Sequence, residues 1–356
     1  MISDSLNLGS NKVIGLDIGL SAVKACLIDK SGKNKYKLTR YASYPLPEAS
    51  LIEDEIQKQE EIVEAIEKVV NRLKTKLKNI CMGLSGPNTV ARKIQLAGGT
   101  DEEIQEQVSW EADQYLPFEV EESSMAFHNL GKNEGGGVDV LICAVRKDIM
   151  LNFKELAESA GLKVKIMDLN VTALINVFNL VMGEKVEGLD ESWLLLDLGA
   201  QKTSFIIYKN GKVQFVKEMN IGGVMITEEI QRQMGVNYEE AEDLKNNGDE
   251  NGNLPEEILE IIDDVVESFF SEIKKTIDFY ISSTSDESLV GCLLTGGGAL
   301  VPGLIEGLEA LLGVDVSILN PFEAIEYDEK GVHEDQINDI AYRGACAIGL
   351  GLREFK

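Results

Sequence analysis

The sequence contains few histidines and scattered cysteines, and it has no long hydrophobic run. Only His128 and His333 are present, and none of the five cysteines lies in a Cys-x-x-Cys motif, so we do not expect a zinc site. The cysteines fall in apolar stretches, which predicts buried thiols in a reducing compartment. No apolar run is long enough to cross a bilayer, and residues 1–11 lack the basic and apolar regions of a signal peptide. We therefore predict a cytoplasmic protein that reaches a membrane only through a partner.

Basic residues are also scarce. The chain has 34 lysines and arginines against 61 aspartates and glutamates, which gives a formal net charge of −27. A field of that sign repels nucleic acids and anionic lipid headgroups, so we expect no nucleic-acid binding and no direct insertion into a membrane. With 44% apolar residues and 7 prolines the composition is that of an ordinary globular protein, and a length of 356 residues predicts two or more domains.

An Asp-x-Gly turn between two apolar strands lies near the start of the chain. Residues 13–28 predict a buried strand, a tight turn at Asp17 and a returning strand. Gly15 and Gly19 let backbone amides approach a ligand at the turn, because they carry no Cβ. Such a turn offers N–H groups to a phosphate and a carboxylate to its metal, and Lys24 could neutralise further phosphate charge. A single turn of this kind is also compatible with an ordinary hairpin.

The same pattern returns about half a chain later. Residues 193–208 repeat the apolar strand, the Asp-x-Gly turn at Asp197 and the returning strand. Two related halves that face each other across a cleft would place Asp17 and Asp197 on opposite sides of one ligand. The duplication therefore favours a binding site over two unrelated hairpins.

A glycine run provides a third motif. Residues 290–303 predict an apolar strand that leads into Gly296, Gly297 and Gly298, followed by a helix that begins near Pro302. Three glycines leave a flat slot in which a planar base can lie against the backbone. Alone, this is a common connection between a strand and a helix, but in combination with the two Asp-x-Gly turns it indicates a nucleotide site.

These three motifs, in this order, resemble the two phosphate loops and the adenosine loop of the actin-like ATPase superfamily. That superfamily includes actin, heat-shock chaperones, sugar kinases and the bacterial FtsA and PilM proteins. Within it the sequence most resembles the PilM family, the cytoplasmic actin-like component of type IV pilus assembly, over residues 12–352. The further stretches that carry this resemblance are 110–118, 221–223, 227–230, 238–245 and 318–322.

The resemblance implies an α/β protein with the actin-like ATPase fold, in which two related α/β domains surround a nucleotide cleft and an FtsA-type α+β subdomain is inserted into the first. The implied boundaries are 12–87 and 167–190 for the first domain with its connecting helix, 88–166 for the inserted subdomain, 191–235 and 290–356 for the core and C-terminal helix of the second domain, and 236–289 for its cap subdomain.

The resemblance also implies that the ligands are ATP and Mg²⁺, with Asp17 and Asp197 holding the metal through water. Leu20 stands where the superfamily often has serine or threonine, which removes one hydroxyl ligand. The implied phosphate contacts are Gly19, Leu20, Ser21, Lys24, Gly199, Ala200 and Gln201. The implied adenosine contacts are Gly296, Gly297, Gly298 and the Glu-x-x-Lys pair Glu242 and Lys245, although an i,i+3 pair on a helix is also compatible with a solvated ion pair.

Hydrolysis of ATP is harder to infer. Asn170 occupies the place where chaperones and FtsA carry a glutamate that positions the attacking water. An amide can orient water but cannot accept its proton at neutral pH, and the nearby Asp168 is also explained as a cap after a strand. Asp168 and Asn170 are therefore the candidate catalytic residues of an enzyme that we expect to turn over slowly or not at all.

The stretch 110–118 places aromatic side chains at the end of a helix, where they could form the core of the subdomain or a groove for a peptide. PilM proteins bind the short cytoplasmic N-terminal tail of the inner-membrane protein PilN beside this subdomain, and they act with other components of the pilus assembly machine. The resemblance therefore implies a cytoplasmic scaffold, peripheral to the inner membrane through its partners. The candidate partner-binding residues are Trp110, Tyr115, Leu116 and Phe118.

Two other functions stay open at this point. A small-molecule kinase can share the fold, but it would need a carboxylate base above an acceptor hydroxyl, and the inserted stretch offers no pocket of the kind that binds a sugar. A filament-forming division protein of the FtsA type is the second alternative. Phosphoryl transfer to a small acceptor would favour the first, and sedimentation of ATP-dependent polymers would favour the second.

Hydrophobic periodicity predicts the remaining elements. Thr100 and Glu103 form a capping box that opens a helix ended by Pro117. The pattern also predicts a helix over 60–77, an unstructured link over 183–191, exposed loops over 246–253 and 327–335, and a single closing helix over 337–352.

Overall fold

The computed structural model describes residues 12–32, 35–133, 135–248 and 253–355. All residues of the first strand are buried, as expected for a strand covered on both faces of a sheet. The first helix ends before the predicted residue 77, because Lys74 takes a positive φ of 50° and turns the chain. The elements of this segment are β1 (Ile14–Ile18), β2 (Ala22–Gly32), β3 (Lys35–Pro45), β4 (Leu51–Ile52), β5 (Glu55–Ile56), α1 (Gln59–Arg72) and β6 (Asn79–Leu84).

The next segment opens with the predicted capping box, in which the Thr100 side chain accepts from the Glu103 backbone N–H and the Glu103 side chain accepts from the Thr100 N–H. The predicted unstructured link over 183–191 is wrong in its first part, because apolar side chains up to Val186 continue the preceding helix. The elements are β7 (Thr89–Leu96), α2 (Asp101–Glu111), β8 (Ser123–Lys132), β9 (Val138–Arg146), α3 (Lys147–Ser159), β10 (Lys163–Leu169) and α4 (Asn170–Val186).

The second half of the chain begins with three antiparallel strands and ends with two short helices. Of the predicted loop over 246–253, residues 249–252 lie outside the described residues. The elements are β11 (Ser192–Leu198), β12 (Thr203–Lys209), β13 (Lys212–Met219), α5 (Gly223–Met234), α6 (Tyr238–Asn247), α7 (Glu256–Thr284), β14 (Leu289–Thr295), α8 (Leu304–Leu312), β15 (Asp315–Ile318), β16 (Ile325–Tyr327), α9 (Glu334–Arg343) and α10 (Ala345–Gly351).

Two sheets share the same order of five strands, and the first carries β16 as a sixth. The first runs β10-β6-β1-β2-β3-β16 and the second runs β15-β14-β11-β12-β13. In each, an antiparallel meander of three strands is followed by two parallel strands on the other side of the first strand. Parallel neighbours need crossover connections, which helices on the faces of the sheets provide. Each Asp-x-Gly hairpin is therefore formed by the same two strands of a repeated domain topology.

The inserted unit has its own sheet and core. Its strands follow the order β7-β9-β8, and α2 packs on them around Ile104 and Val108. The adjacent β10 instead pairs with β6 in the first sheet, and α3 contributes Phe153 and Leu156 to the core of the first domain. On these pairings we propose that the inserted subdomain ends at Arg146 rather than at residue 166.

The C-terminal residues return to the first domain. The predicted loop over 327–335 is wrong in part, because β16 pairs in parallel with β3 and Val332 is buried. The predicted single helix over 337–352 is two helices, separated at Gly344. There α9 stays beside the glycine run of the second domain, whereas α10 packs against β1 and α4 of the first, so one straight helix could not serve both. No helix in the described ranges is both long and apolar enough to cross a membrane.

Close backbone contacts fix α10 to the first domain. A β-carbon on Gly15 would lie 2.2 Å from the carbonyl oxygen of Ala347, and one on Gly349 would lie 2.0 Å from the carbonyl oxygen of Ala173 in α4. Real β-carbons do not approach so closely, so glycine is required at both positions for these elements to touch.

We expect Gly349→Ala to destabilise the protein by about 1–3 kcal/mol, since the added methyl must push α10 away from α4. Gly183→Ala in α4 is the matched control, because its β-carbon would meet nothing within 4 Å. That substitution should stabilise by about 0.4–1 kcal/mol through the unfolded chain and helix propensity. Urea unfolding followed by circular dichroism measures both, and equal midpoints for the two variants would contradict the packing argument.

Candidate functional site

The two Asp-x-Gly hairpins place three charged side chains at the base of the cleft. Asp17 lies opposite Lys24 in the register of β1 and β2, and the Lys24 Nζ stands 3.2 Å from the Asp17 Oδ2. The side chain of Asp17 is only 5% exposed and that of Lys24 only 17%. Burial by itself would lower the pKa of Lys24, but the charge of Asp17, with a smaller contribution from Asp197 across the cleft, raises it above its ordinary value.

Asp197 responds to the same cluster in the opposite sense. Burial raises the pKa of its carboxyl from 3.8 to about 6, the charge of Lys24 opposes this rise, and the charge of Asp17 adds to it. The structure therefore brings both predicted metal-binding carboxylates and the predicted phosphate-binding lysine into one electrostatic unit. The cluster of Asp17, Asp197 and Lys24 contains two carboxylates and one ammonium, so an additional positive charge would balance it.

The backbone of the two turns is arranged in the same way. The Gly19 N–H donates to the Ala22 carbonyl at 3.0 Å, and the Gly199 N–H donates to the Lys202 carbonyl at 2.9 Å. A β-carbon on Gly199 would lie 2.8 Å from the carbonyl oxygen of Lys202, so a glycine is needed to close this turn. The remaining predicted phosphate contacts lie on these turns. In the first turn, Leu20 packs partly against the core of the first domain and Ser21 is exposed. In the second turn, the Ala200 carbonyl accepts from the Val224 N–H at 2.7 Å, and the Gln201 Oε1 accepts from the Glu53 N–H at 3.5 Å.

The glycine run packs directly on the second hairpin. Gly296 has a φ of 90°, and a β-carbon there would lie 2.6 Å from the Asp197 Oδ1. A β-carbon on Gly298 would lie 2.4 Å from the Leu198 side chain. Gly297 starts a short 3-10 helix, Gly297–Leu300, and α8 begins two residues after the predicted Pro302. The run thus forms a surface without side chains beside one of the two carboxylates.

The predicted Glu-x-x-Lys pair lies next to the second turn. The Lys245 ammonium donates to Glu242 at 2.5 Å, to Thr227 at 2.7 Å and to the Gly223 carbonyl at 3.2 Å. The Gly223 N–H in turn donates to the Gly199 carbonyl at 3.1 Å. Burial works to raise the pKa of Glu242, but Lys245 and Thr227 outweigh it and hold the pKa below its ordinary value. The Lys245 side chain is therefore enclosed and bonded to the start of α5, whereas that of Glu242 is 37% exposed.

The sequence did not predict two residues that lie near the site, Cys346 and Arg343. Burial, and to a smaller extent the neighbouring charge of Asp17, raises the pKa of the Cys346 thiol at the start of α10 well above its ordinary value. The Arg343 Nε lies 3.5 Å from the position of a β-carbon on Gly297. No periodicity could reveal either contact, because each joins residues far apart in the chain. The only local signal was Gly344, which separates the two helices that carry them.

The candidate catalytic residues have partners elsewhere. Asp168 on β10 pairs with Gly83 on β6, so the strand β6 lies between Asp168 and β1. Asp168 also forms an ion pair with Arg353 at 3.0 Å. Its other oxygen accepts from Thr172. The Asn170 side chain donates to the Ser85 hydroxyl at 3.3 Å. Among the described residues, no hydrogen bond or ion pair joins these two side chains to the charged groups at the hairpins.

The candidate partner residues differ in exposure. Trp110 on α2 is 83% exposed. Tyr115 packs against the core of the inserted subdomain, and its ring lies 4.7 Å from the Arg92 guanidinium. Leu116 and Phe118 are half-buried. Part of this stretch is thus subdomain core, as one interpretation of the sequence held, while Trp110 remains available at the surface.

The chemistry of the cleft suits a magnesium nucleotide. Carboxylate oxygens are the ligands that Mg²⁺ prefers, and the two aspartates approach from opposite domains. A lysine and two amide-bearing turns suit phosphate oxygens, and the exposed Gly297 of the glycine run offers a base a surface without a side chain. Asp17, Asp197 and Lys24 would hold the metal and phosphates, and the glycine run would hold the adenosine.

Two sheets of one topology, each with an Asp-x-Gly hairpin at a shared cleft, define the actin-like ATPase fold. Comparison with solved structures confirms that class. The chain is similar to the "PilM-PilN type IV pilus biogenesis complex", with a TM-score of 0.84, 28% identity, and coverage of 96% of this chain and 98% of that chain. It also shares the fold of the ethanolamine utilization protein EutJ from Carboxydothermus hydrogenoformans, with a TM-score of 0.58, 14% identity and coverage of 98% and 91%.

The chain belongs to the PilM family, because the model of the type IV pilus assembly protein PilM matches residues 15–355. Among curated proteins it is similar to the cell division protein FtsA of Enterococcus hirae, at 26% identity over 197 residues, which cover 49% of this chain and 43% of that protein. The FtsA of Streptococcus pneumoniae is 25% identical over 194 residues, 49% of this chain and 41% of that protein. The chain thus matches less than half the length of these curated relatives.

Proposed function

We propose that this chain is an ATP-binding scaffold of type IV pilus assembly that docks the cytoplasmic N-terminal tail of a PilN-like inner-membrane protein. Membership of the PilM family and similarity to a solved PilM-PilN complex support the role in assembly and the partner. The observation that carries the nucleotide proposal is the enclosed cluster of Asp17, Lys24 and Asp197 between the two hairpins.

In this proposal each residue has a separate task. Asp17 and Asp197 hold Mg²⁺ through water, Lys24 neutralises phosphate charge, and the turn residues that follow Gly19 and Gly199 offer backbone amides. The Mg-ATP would supply one ligand that both domains hold at once, so it would favour their closed arrangement. Turnover is proposed to be slow or absent, since Asn170 and Asp168 are engaged with Ser85 and Arg353 rather than with the hairpins.

The inserted subdomain is in a position to sense closure, because it contacts the second domain directly. The Lys93 ammonium on β7 donates to the Gln214 side chain on β13 at 2.6 Å, and the Lys212 ammonium donates to the Lys132 carbonyl at 3.3 Å. Lys93 also pairs with the buried Asp139 at 2.8 Å, which fixes it to the sheet of the subdomain. A change in the angle between the domains must move or break these contacts, and we propose that this couples the nucleotide to the partner groove.

Titration of the purified chain with a synthetic PilN-like tail, with and without Mg-ATP, tests the proposal. We expect the tail affinity to change at least fivefold, which is the lower end of typical coupling energies between sites. Equal affinities in the two conditions would contradict the coupling.

Trp110→Ala should weaken tail binding by about tenfold or more while the fold stays intact, because an exposed tryptophan is the side chain type that dominates interfaces.

Two comparisons sharpen this experiment. Phe279→Ala is the control for Trp110→Ala, since Phe279 is also an exposed aromatic residue but lies on α7 of the second domain. Tyr115→Ala also tests the groove, although it removes the contact with Arg92 as well. If Trp110→Ala and Phe279→Ala bind the tail equally well, the tail docks elsewhere.

The similarity to FtsA supports a second candidate, a filament-forming role of the FtsA kind in cell division. That similarity covers about half of the chain, whereas the PilM family model covers nearly all of it. Sedimentation with and without Mg-ATP distinguishes the two: ATP-dependent polymers would favour the division role.

A further inference from the structure

We infer that Arg343 forms the outer wall of the base site and selects purine nucleotides by stacking its guanidinium on the base. The inference rests on the proposed function, because it requires that the cleft binds a nucleotide with its base on the glycine run. It adds a specificity-determining residue that none of the sequence motifs contains.

The backbone beside Arg343 is fixed to the glycine run. The carbonyl of Tyr342, at the end of α9, accepts from the Gly296 N–H at 2.8 Å and from the Thr295 hydroxyl at 3.0 Å. These two hydrogen bonds to the Tyr342 carbonyl fix the position of the backbone at Arg343. Arg343 is therefore held at the edge of the run irrespective of how its own side chain moves.

The guanidinium lies against the surface on which the base would rest. The Arg343 Nε is 3.5 Å from the position of a β-carbon on Gly297, which is ordinary van der Waals contact. Its Nη1 donates to the Asp339 Oδ1 at 2.9 Å, and this second contact restrains the end of the group. The side chain is 41% exposed, so it can move outward when a ring enters beneath it.

The ion pair with Asp339 does not by itself explain the arginine. It joins i and i+4 on one helix with both side chains about two-fifths exposed, and such pairs add little to stability. A second cation also lies nearby: burial lowers the pKa of Lys245, and the charge of Arg343 contributes to that lowering. Lys245 has three partners on its own domain, whereas the Arg343 guanidinium lies beside Gly297.

The chemistry of this face points to a base rather than to a phosphate. A guanidinium is planar and weakly hydrated, and it stacks on π systems as well as pairing with anions. A purine offers two fused rings to such a plane and a pyrimidine offers one, so the contact discriminates between them. Bound phosphates are instead expected at Lys24 and the two turns.

Equilibrium binding of Mg-ATP and Mg-CTP to the full chain, measured by calorimetry, tests the inference. The wild-type chain should prefer ATP. Arg343→Ala should weaken ATP binding by about tenfold, which is within the range for loss of one stacking contact, and should change CTP binding less than threefold. Arg343→Lys keeps the charge but not the plane, so it should lose the preference as well. Asp339→Asn removes the ion pair and keeps the guanidinium, so it should retain most of the preference.

The outcomes separate this inference from the proposal on which it rests. If Arg343→Ala and Arg343→Lys bind ATP as the wild type does, or if Arg343→Ala loses ATP and CTP by the same factor, the stacking role is overturned while nucleotide binding stands. If the wild-type chain binds neither nucleotide, the proposed function itself fails. Thermal unfolding of each variant reports its folding, and Arg343→Lys serves as the test should the alanine variant not fold.

Discussion

Lys24→Met is expected to abolish measurable binding of Mg-ATP and to destabilise the protein by about 3–5 kcal/mol, which is the usual cost of removing one partner from a buried ion pair. The side chain of Lys24 is 17% exposed and stands 3.2 Å from that of Asp17. Its charge also opposes the rise in the pKa of Asp197, so its loss leaves two enclosed carboxylates that repel each other. The phosphates would in addition lose a cation.

Urea unfolding of the ligand-free variant and calorimetric titration with Mg-ATP measure the two effects. Lys274→Met is the control, because it makes the same change at a side chain that is 62% exposed and pairs with Asp278 across one turn of α7. The control should unfold within about 0.5 kcal/mol of the wild type and bind the nucleotide normally. Were Lys24→Met to behave like Lys274→Met in both assays, the charged cluster would not be the nucleotide site.

Asp197→Asn is expected to stabilise the ligand-free protein at neutral pH while it weakens binding of Mg-ATP. Burial raises the pKa of Asp197 to about 6 from an ordinary value of 3.8, so the folded protein binds this proton more tightly than the unfolded chain does. The resulting stability is fully present below pH 3.8 and is lost as the pH rises through about 6. Above that pH the wild type carries the cost of a buried charge, which the amide removes.

The variant should therefore be more stable than the wild type above about pH 6, by on the order of 1–3 kcal/mol, and equal to it near pH 4. Its affinity for Mg-ATP should fall about 10–100-fold, as for other changes to groups that hold a metal through water or another ligand. Unfolding midpoints from pH 4 to pH 8 and calorimetry check the two expectations. Asp278→Asn, at a side chain that is 60% exposed, should show neither effect, and a wild-type stability that rises with pH relative to Asp197→Asn would show that the sign is wrong.

These two expectations share one physical reason. The cluster holds two acidic groups and one basic group in an enclosed cleft, so it is costly to the ligand-free protein and is relieved by a cation. A protein without a ligand in this cleft would gain stability by losing Asp197. The presence of both aspartates in one enclosed cluster is the pattern expected where function sets the composition of a site.

The locally encoded parts of the fold were predictable. Buried strands with an Asp-x-Gly turn, the capping box at Thr100, and the glycine run all depend on residues within one or two turns of each other, and the structure places each of them where the pattern predicts. The duplication of the hairpin then predicted two related domains, which the matching strand orders confirm. The family resemblance is confirmed by the match over residues 15–355.

The sequence by itself therefore determined the two hairpins, the glycine surface and the class of fold, because periodicity and glycine placement act at short range. Only the tertiary structure decided that β16 joins the first sheet, that the closing helix breaks at Gly344, and that Arg343 and Cys346 reach the cleft. Those contacts join residues separated by tens to hundreds of positions, and their partners are chosen by the packing of whole layers. A pattern in neighbouring residues carries no information on which distant surface a side chain will meet.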